Sequence, residues 1–173
     1  MSVKFPLYLK NFNLILGPTD YAGVVEEVTF PKIAYKSEEV LNGGMVMPIK
    51  IPTVLEAMDV TFKLSEQTFE GFVLAGAPTA GLIEAVVYGH LQNALGDTSE
   101  LIYAMRGTIL KIDSGSAKNG DLKSGTQTLE MNLMSLIVTR DDIPLFAVDS
   151  QNGVIKHGVF DHTTAARKNL KLG

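Results

Sequence analysis

The sequence has no cysteine and no tryptophan among its 173 residues. Without cysteine the chain can form no disulfide bond, no thiolate nucleophile and no thiolate zinc site. Without tryptophan it lacks the largest side chain for stacking against a sugar ring, which weakens a carbohydrate-binding interpretation. An excess of positive charge is missing as well, because the formal net charge is −4. Clustered Lys and Arg would be needed to hold nucleic acid or an anionic membrane electrostatically.

Long apolar segments are also missing. The longest uncharged stretch, GFVLAGAPTAGLI (71–83), is too short to span a bilayer and is interrupted by glycine and proline. The N-terminal MSVKFPLYLKNFNLIL has polar residues where a secretory signal needs a continuous apolar core. A chain of this length is typical of one domain. We therefore expect a single soluble domain, 1–173, made in a cytoplasm and not inserted in a membrane.

Motifs for catalysis or cofactor binding are absent or incomplete. GAPTAG (76–81) has the glycine spacing of a phosphate loop, but Leu82 and Ile83 stand where lysine and a hydroxyl residue should follow. DSGSAKNGD (113–121) lacks the alternating oxygen ligands of a calcium loop, which favours a hairpin loop and leaves a weak ion site open. No two histidines have the i, i+4 spacing of a helical metal site. The sequence predicts no catalytic residue, no metal site and no cofactor.

Strand patterns dominate the chain. The period-2 pattern from Glu56 to Leu64, with strict apolar and polar alternation from Met58, predicts a strand that buries Met58, Val60, Phe62 and Leu64 on one face. We predict strands at 24–30, 56–64, 84–91, 101–113, 128–133 and 143–148. Pro144 cannot donate to a sheet ladder, so the last strand is expected at an edge. Asn-Gly turn signals at 42–43, 119–120 and 152–153 favour antiparallel pairing.

Helix signals are confined to two short segments. SEQTFEGFVLAG (65–76) predicts a helix with Ser65 as its N-cap and its end at Gly76. Its apolar residues Phe69, Phe72 and Val73 fall on one face. DHTTAARKNLKLG (161–173) predicts a second helix with Asp161 as N-cap and basic residues near its end, where cations suit the helix dipole.

LNGGMVMPIKI (41–51) fits neither a core strand nor a solvated loop. An Asn-Gly-Gly turn precedes four large apolar residues, and Pro48 lies among them. A central strand would exclude that proline, and an ordinary loop would not expose those apolar residues. The pattern indicates a surface that is buried only when a partner binds.

Several phrases resemble the major tail tube protein family of contractile-tailed bacteriophages and R-type bacteriocins. The most specific is DYAGVVEEVTFPKIAYKSEEVLNGGMVMPIKI (20–51). LKNFNLIL and EAMDVTFKLSE resemble strands of that family. RGTILKIDSGSAKNGDLKSG and VIKHGVFDHTTAARKNLKLG resemble a strand with its loop and the closing strand, turn and helix. The resemblance runs almost end to end.

The resemblance implies a structural role without catalysis. The implied fold is mainly β (α+β), with two packed antiparallel sheets forming a sandwich or barrel, one or two short flanking helices and a long hairpin arm. Six subunits would form a ring, and their inner strands would join into one barrel around a lumen. Stacked rings would make the inner tube of the virion, assembled in the bacterial host cytoplasm. The implied partners are further copies of the chain, the tail sheath, the baseplate and tail-terminator proteins, a tape-measure protein in the lumen, and DNA that transits without specific binding.

Two groups of site residues follow from this interpretation. The hairpin arm that contacts the next ring comprises Asn42, Gly43, Gly44, Met45, Val46, Met47, Pro48 and Ile49. The acidic candidates for the lumen are Glu26, Glu27, Glu38, Glu39, Glu56 and Asp59. An acidic lumen repels phosphate and lets DNA slide. Adjacent acids in a regular strand point to opposite faces, so neither Glu26-Glu27 nor Glu38-Glu39 is expected to act as a two-carboxylate site.

Other functions remain open at this stage. A type VI secretion ring protein would share the architecture and form hexamers. A ligand-binding β-sandwich could use tyrosine in place of tryptophan and would be monomeric. An enzyme has the least support, because no catalytic motif is complete.

Overall fold

The computed structural model describes residues 4–75, 81–121 and 125–171. In these ranges the chain is mostly strand. The elements in chain order are β1 (Tyr8–Leu16), β2 (Thr19–Asp20), β3 (Val25–Thr29), β4 (Tyr35–Val40), β5 (Ile49–Leu55), β6 (Met58–Leu64), α1 (Phe69–Ala75), β7 (Ile83–Gln92), β8 (Thr98–Asp113), β9 (Gln127–Arg140), β10 (Ile143–Asp149), β11 (Val154–His157), β12 (Phe160–Asp161) and α2 (Thr164–Leu170). All six predicted strands are confirmed, and the predicted mainly β fold is confirmed with them.

The strands form two packed antiparallel layers that share β8 and β9. The eight-stranded layer has the order β12-β11-β10-β9-β8-β7-β1-β2. The four-stranded layer has the order β3-β6-β9-β8, because β6 pairs with β3 and with residues 127–133 of β9. Residues 135–140 of β9 pair instead with β10. Strands β8 and β9 therefore each begin in one layer and end in the other.

Gly107 lies where β8 passes between the layers. It pairs with Ile83 of β7 and with Leu133 of β9, next to a break in the β8–β9 register. A Cβ atom at this position would overlap the carbonyl oxygen of Asn132. Only glycine allows the two backbones to approach this closely.

The core lies between the two layers. Val60 and Phe62 of β6 belong to the same buried cluster as Leu14 and Leu16 of β1, and all four are completely buried. β1 and β6 belong to different layers and are not paired with each other, so this contact joins the layers. The alternation predicted for 56–64 is therefore confirmed, with its apolar face in the core.

All three predicted Asn-Gly turns connect antiparallel neighbours: β4 to β5, β8 to β9, and β10 to β11. The edge position predicted for 143–148 is wrong, because β10 lies between β9 and β11. Pro144 is tolerated there because β11 pairs only with Phe146–Asp149, so the proline falls where the strand has one partner.

Both helices are present, but the predicted caps are wrong. α1 begins at Phe69, and Thr68 caps it, because the Gly71 N–H donates to the Thr68 hydroxyl. Ser65 instead donates its hydroxyl hydrogen to the carbonyl of Val24. The predicted end at Gly76 lies outside the described residues.

α2 has Thr163 at its N-cap position, without a side-chain cap hydrogen bond. Asp161 accepts hydrogen bonds from the Thr163 N–H and from Arg167 Nη2, the latter at 2.7 Å. Asp161 therefore ties the closing strand to the helix through this ion pair instead of capping the helix.

Candidate assembly surfaces

The predicted arm is a two-stranded hairpin that forms a sheet of its own. β4 and β5 pair only with each other among the described strands, from Val40 opposite Ile49 to Tyr35 opposite Leu55. At the tip the Met45 N–H donates to the Asn42 carbonyl at 3.0 Å. Gly44 has a φ of 87°, which explains why glycine occupies this position.

The arm leaves its apolar residues in solvent. Every residue from 41 to 54 is exposed, and Val46 at the tip is completely so. Ile49 and Ile51 share one face with Glu38, whereas Glu39 and Lys50 form an ion pair at 3.5 Å on the other. The arm is thus held by its strand pairing, and its apolar side chains lie outside the core of the subunit.

Contacts at its base hold the arm in place. The Glu56 N–H donates to the Ala34 carbonyl at 2.8 Å and closes the hairpin, and Leu55 packs against the core. The Tyr35 hydroxyl lies 3.1 Å from His157 Nε2. The base of the hairpin is therefore fixed, while its distal part extends into solvent.

The second candidate surface is the polar face of the four-stranded layer, on the side away from the core. The strand register aligns Thr61 of β6 with Glu130 of β9, and Glu130 with Lys111 of β8. Asp59 lies in the next polar row, where Asn132 Nδ2 donates to its carboxylate at 2.8 Å. The charged residues of this face are Glu26, Glu27, Asp59, Lys63, Lys111, Asp113 and Glu130. Carboxylates outnumber ammonium groups, so the face is acidic.

A bulge places the adjacent acids Glu26 and Glu27 on the same face. Val25 is opposite Leu64 and Glu27 is opposite Lys63, so Glu26 is the extra residue. The Glu26 carboxylate lies 3.0 Å from Lys63 Nζ, the ammonium group that Glu27 also faces in the register. The expectation of opposite faces is therefore wrong for this pair, because it assumed a regular strand.

The other acidic candidates lie elsewhere. Glu38 and Glu39 are on the arm, and Glu56 is in the connection that enters β6. The structure therefore brings Glu26, Glu27 and Asp59 together and separates them from the other three. Asp113 and Glu130 belong to the acidic face and were missed. Their strands were predicted, and Glu130 already alternated with Leu129 and Met131 in the pattern, so the signal was present.

Among the described strands, the four-stranded layer has two edges that lack a further strand partner, and we call them its free edges. β3 pairs there with β6 alone, and helix α1 contacts β8 without pairing with it. On the other side, β7 pairs with β8 only as far as Gly107, so residues 108–113 have one strand neighbour, β9, in the part of the chain that the structure describes. Unpaired edges present N–H and C=O groups that can bind another chain.

The described residues show few features of a metal site, an ion-binding loop or a membrane span. The described residues contain no cluster of three or more His, Asp or Glu side chains that could hold a metal ion. Residues 113–121 form a hairpin connection in which the Gly115 N–H donates to Asp113. The pKa of Asp141 is lowered by a hydrogen bond from the Ser99 hydroxyl, which fixes a turn. Within the described ranges, no helix combines the length and the apolar composition that crossing a membrane requires.

Sequence comparison assigns the chain to a family. A profile described as phage tail tube protein FII matches residues 6–170. The chain belongs to this phage tail tube family. It is 29% identical over 160 residues to the major tail tube protein of Serratia phage KSP20, with 89% of each chain covered. It is 26% identical over 174 residues to the tail tube protein of Escherichia phage P2, covering 98% of this chain and 100% of that protein. The predicted family is therefore confirmed, and a tail tube protein is a structural component of the virion.

Solved structures show the same fold for this tail tube family member. A chain of the PVC sheath–tube complex, from an extracellular contractile injection system in its extended state, matches with a TM-score of 0.62 and 14% identity. The match covers 79% of this chain and 93% of that one. The tube-terminating cap of the anti-feeding prophage also gives a TM-score of 0.62, at 13% identity over 80% of this chain and 94% of that one.

Proposed function

We propose that the protein forms six-membered rings that stack into the inner tube of a contractile phage tail, and that DNA passes through the lumen. The observation that carries this proposal is the pair of free edges on the four-stranded layer. An edge at each side allows one subunit to bind the next in the same way around a ring, which is the heterologous contact that closed rings use.

The strand directions fit such a ring. β3 is antiparallel to β6, β6 to β9, and β9 to β8, so β3 and β8 run in opposite directions. When all subunits point the same way, β8 of one subunit meets β3 of the next as an antiparallel neighbour. Four strands from each of six subunits would then alternate around a barrel with no remaining edge. At a strand spacing of about 4.8 Å, 24 strands parallel to the axis would give a backbone barrel about 37 Å across, and the strand tilt that barrel closure requires would widen it.

The polar face would line the lumen. The apolar face of the same layer is committed to the core, so closing the ring leaves the acidic face inside. Repeated six times, its carboxylates would repel the phosphates of DNA, and DNA would transit without specific binding. The arm would contact the next ring through its exposed apolar residues.

The remaining partners follow from membership in the tail tube family and from the structures that resemble this chain. One of these is a sheath–tube complex, and others are a tube terminator and a baseplate. We infer that this protein also meets a sheath, a terminator and a baseplate, that a tape-measure protein occupies the lumen during assembly in the host cytoplasm, and that the tube remains in the virion.

Ring closure can be tested by cross-linking, because the wild-type chain offers no cysteine of its own. Thr29→Cys on β3 would be combined in turn with Thr108→Cys, Lys111→Cys or Asp113→Cys on the free edge of β8. These three partners sample different registers on the same face. Mild oxidation of assembled rings should give a ladder of covalent species ending at six subunits for one of the pairs.

The matched control combines Thr29→Cys with Asn152→Cys, which lies in the β10–β11 turn of the eight-stranded layer and on neither free edge. This pair should remain uncross-linked within a ring. Rings visible by electron microscopy in which none of the three edge pairs gives a ladder would contradict edge-to-edge closure. A ladder ending at a number other than six would correct the ring size.

The lumen can be tested by reversing charge. Asp59→Lys with Glu130→Lys should leave tubes intact and slow DNA ejection from complete particles, because phosphate would then bind the wall and release counterions. Adding salt should restore part of the rate. Glu100→Lys with Asp142→Lys, at two exposed acids outside the four-stranded layer, is the control with the same charge change. Equal ejection rates in wild type and the Asp59/Glu130 variant would exclude the repulsion mechanism.

A further inference from the structure

Helix α1 carries an apolar face that the subunit does not bury. Phe69 is 77% exposed, Phe72 46% and Val73 53%. These positions are spaced i, i+3 and i+4, so they form one stripe on the helix. Two phenylalanines and a valine together in water are typical of a surface that binds a partner.

The helix is anchored, so this face has a defined orientation. Gln127 is completely buried, and its Oε1 accepts hydrogen bonds from the Thr68 N–H at 3.2 Å and the Thr68 hydroxyl at 3.0 Å. A Cβ atom at Gly71 would lie 2.5 Å from Gln127 Oε1, so the helix backbone sits directly on this amide. Gln67 Nε2 donates to the Ser114 carbonyl at 3.2 Å. The side of the helix that carries Phe69, Phe72 and Val73 therefore faces solvent.

The arm and α1 lie at opposite ends of the four-stranded layer. The arm leaves after Thr29 and returns before Met58, and Met58 is opposite Leu133. We call the end of the layer that these three residues mark the arm end. α1 contacts Gln127, which is opposite Leu64, at the other end of the same strands. This is the helix end. In a stack of rings that all point the same way, the arm end of one ring faces the helix end of the next.

We propose that the arm tip of one subunit docks on the α1 face of a second copy of the chain in the adjoining ring. The proposal rests on the proposed stacking of rings and names the surface that receives the arm. The tip from Leu41 to Ile49 has no charged residue, and the α1 stripe of Phe69, Phe72 and Val73 has none either. Contact between the two surfaces would therefore bury no unpaired charge.

The sizes of the two surfaces explain why rings, and not single subunits, would stack. Each apolar patch amounts to on the order of 300 Å², taking about 60–120 Å² for each large side chain. One contact would therefore bury about 600 Å², well below the roughly 1,200–2,000 Å² of a stable interface. Six simultaneous contacts would bury about 3,600 Å², which is the range of permanent assemblies. Free subunits therefore stay apart, and closed rings associate.

A direct test uses one cysteine on each surface. Val46→Cys with Phe72→Cys should give covalent links between subunits when tubes are oxidised, and no links when separated rings are oxidised at the same concentration. Val46→Cys with Val159→Cys is the matched control, because Val159 is also exposed, at 80%, but lies between β11 and β12. Cross-linking of the control pair at the same yield would overturn the assignment to α1.

Introducing a charge on each of the two apolar surfaces provides the second test. Val46→Asp alone and Phe72→Lys alone should each lower the fraction of rings found in tubes by about tenfold or more, because each buries one unpaired charge. The double variant pairs the two charges and should recover most of that loss. Val159→Lys should leave stacking unchanged.

The outcomes separate this proposal from the proposed function. If Val46→Asp blocks stacking while Phe72→Lys does not, the arm contacts some other surface and the α1 assignment is wrong. If neither blocks stacking, the arm itself is not the stacking element. Rings should form in every variant, because ring closure uses β3 and β8; loss of rings with Phe72→Lys would place α1 in the contact within a ring and overturn the proposal.

Discussion

Strands β5 and β6 have seven residues each and are separated by only Glu56 and Ala57. Both contain four large apolar residues. In β6 all four are buried, and in β5 only Leu55 is even partly so. β6 has a strand on each side and a second layer over its apolar face, whereas β5 pairs only with β4. Apolar content therefore does not decide burial within a subunit; the number of partners that the fold supplies does.

The largest effect on folding is expected in β6. Phe62→Ala removes a completely buried ring from the core and should lower the free energy of unfolding by about 3–5 kcal/mol. Ile51→Ala in β5 should change it by less than about 0.5 kcal/mol. Urea denaturation of separated subunits would measure both. Equal losses would mean that β5 is buried in the subunit, and the contrast would fail.

The arm should show the reverse pattern. Met45→Asp with Met47→Asp should abolish stacking of rings and leave the Tm of the separated subunit within a degree or two of wild type, since neither side chain is buried by the subunit. Thermal denaturation and electron microscopy of the same preparation would check both statements. Tubes of normal length would refute the role of the arm.

The same glycine-to-alanine substitution in the body and in the arm sharpens the comparison. Gly107→Ala places a Cβ against the Asn132 carbonyl and should cost about 1–3 kcal/mol or more. Gly43→Ala in the arm turn meets open space and should be nearly neutral. Differential scanning calorimetry would compare them. A stable Gly107→Ala subunit would show that the bend between the layers can relax.

The smallest effect is expected at the closing segment, which belongs to neither strand. Hydrogen bonds hold the pKa of Asp161 well below its usual value, and the bond from Arg167 has a larger effect than those from Thr163. Its stabilisation is therefore complete above the pKa of an unfolded aspartate, about 3.9, and is lost as pH falls from there towards the lower folded pKa. Asp161→Asn should lower the Tm at pH 7, and the difference from wild type should shrink below about pH 4.

Asp142→Asn, on an exposed turn, is the control for that measurement. Its Tm should match wild type at both pH values. A difference between wild type and Asp161→Asn that stays constant from pH 7 to acid would show that the carboxylate charge is not what stabilises the segment.

Local patterns predicted much of this fold. The alternation within 56–64 predicted both β6 and its buried face, and the turn signal with its apolar run predicted an exposed apolar surface at 41–51. The hairpin arm itself was implied by the family resemblance, and strands β4 and β5 were not predicted from their own patterns. Long-range pairing could not be predicted in the same way. Nothing near Pro144 indicates that β11 stops short of it, and nothing near Glu26 indicates a bulge, because both depend on residues far along the chain.

The assembly surfaces were predicted unevenly for the same reason. The arm is contiguous in sequence and was found as a unit. The acidic face combines single residues from four strands, so Asp113 and Glu130 join Asp59 only once the register is known. The family resemblance supplied the expectation of an acidic lumen but could not assign its residues.

The four-stranded antiparallel layer also limits how this protein can change over evolutionary time. In a ring closed by its two edges, each subunit must supply an even number of strands, or the junction between subunits becomes parallel. Losing β3 or adding one strand there would alter every junction at once. The eight-stranded layer carries no such parity condition. If the ring closes as proposed, insertions and new strands should therefore accumulate on the eight-stranded layer, while the four-stranded layer keeps its strand count across distant relatives.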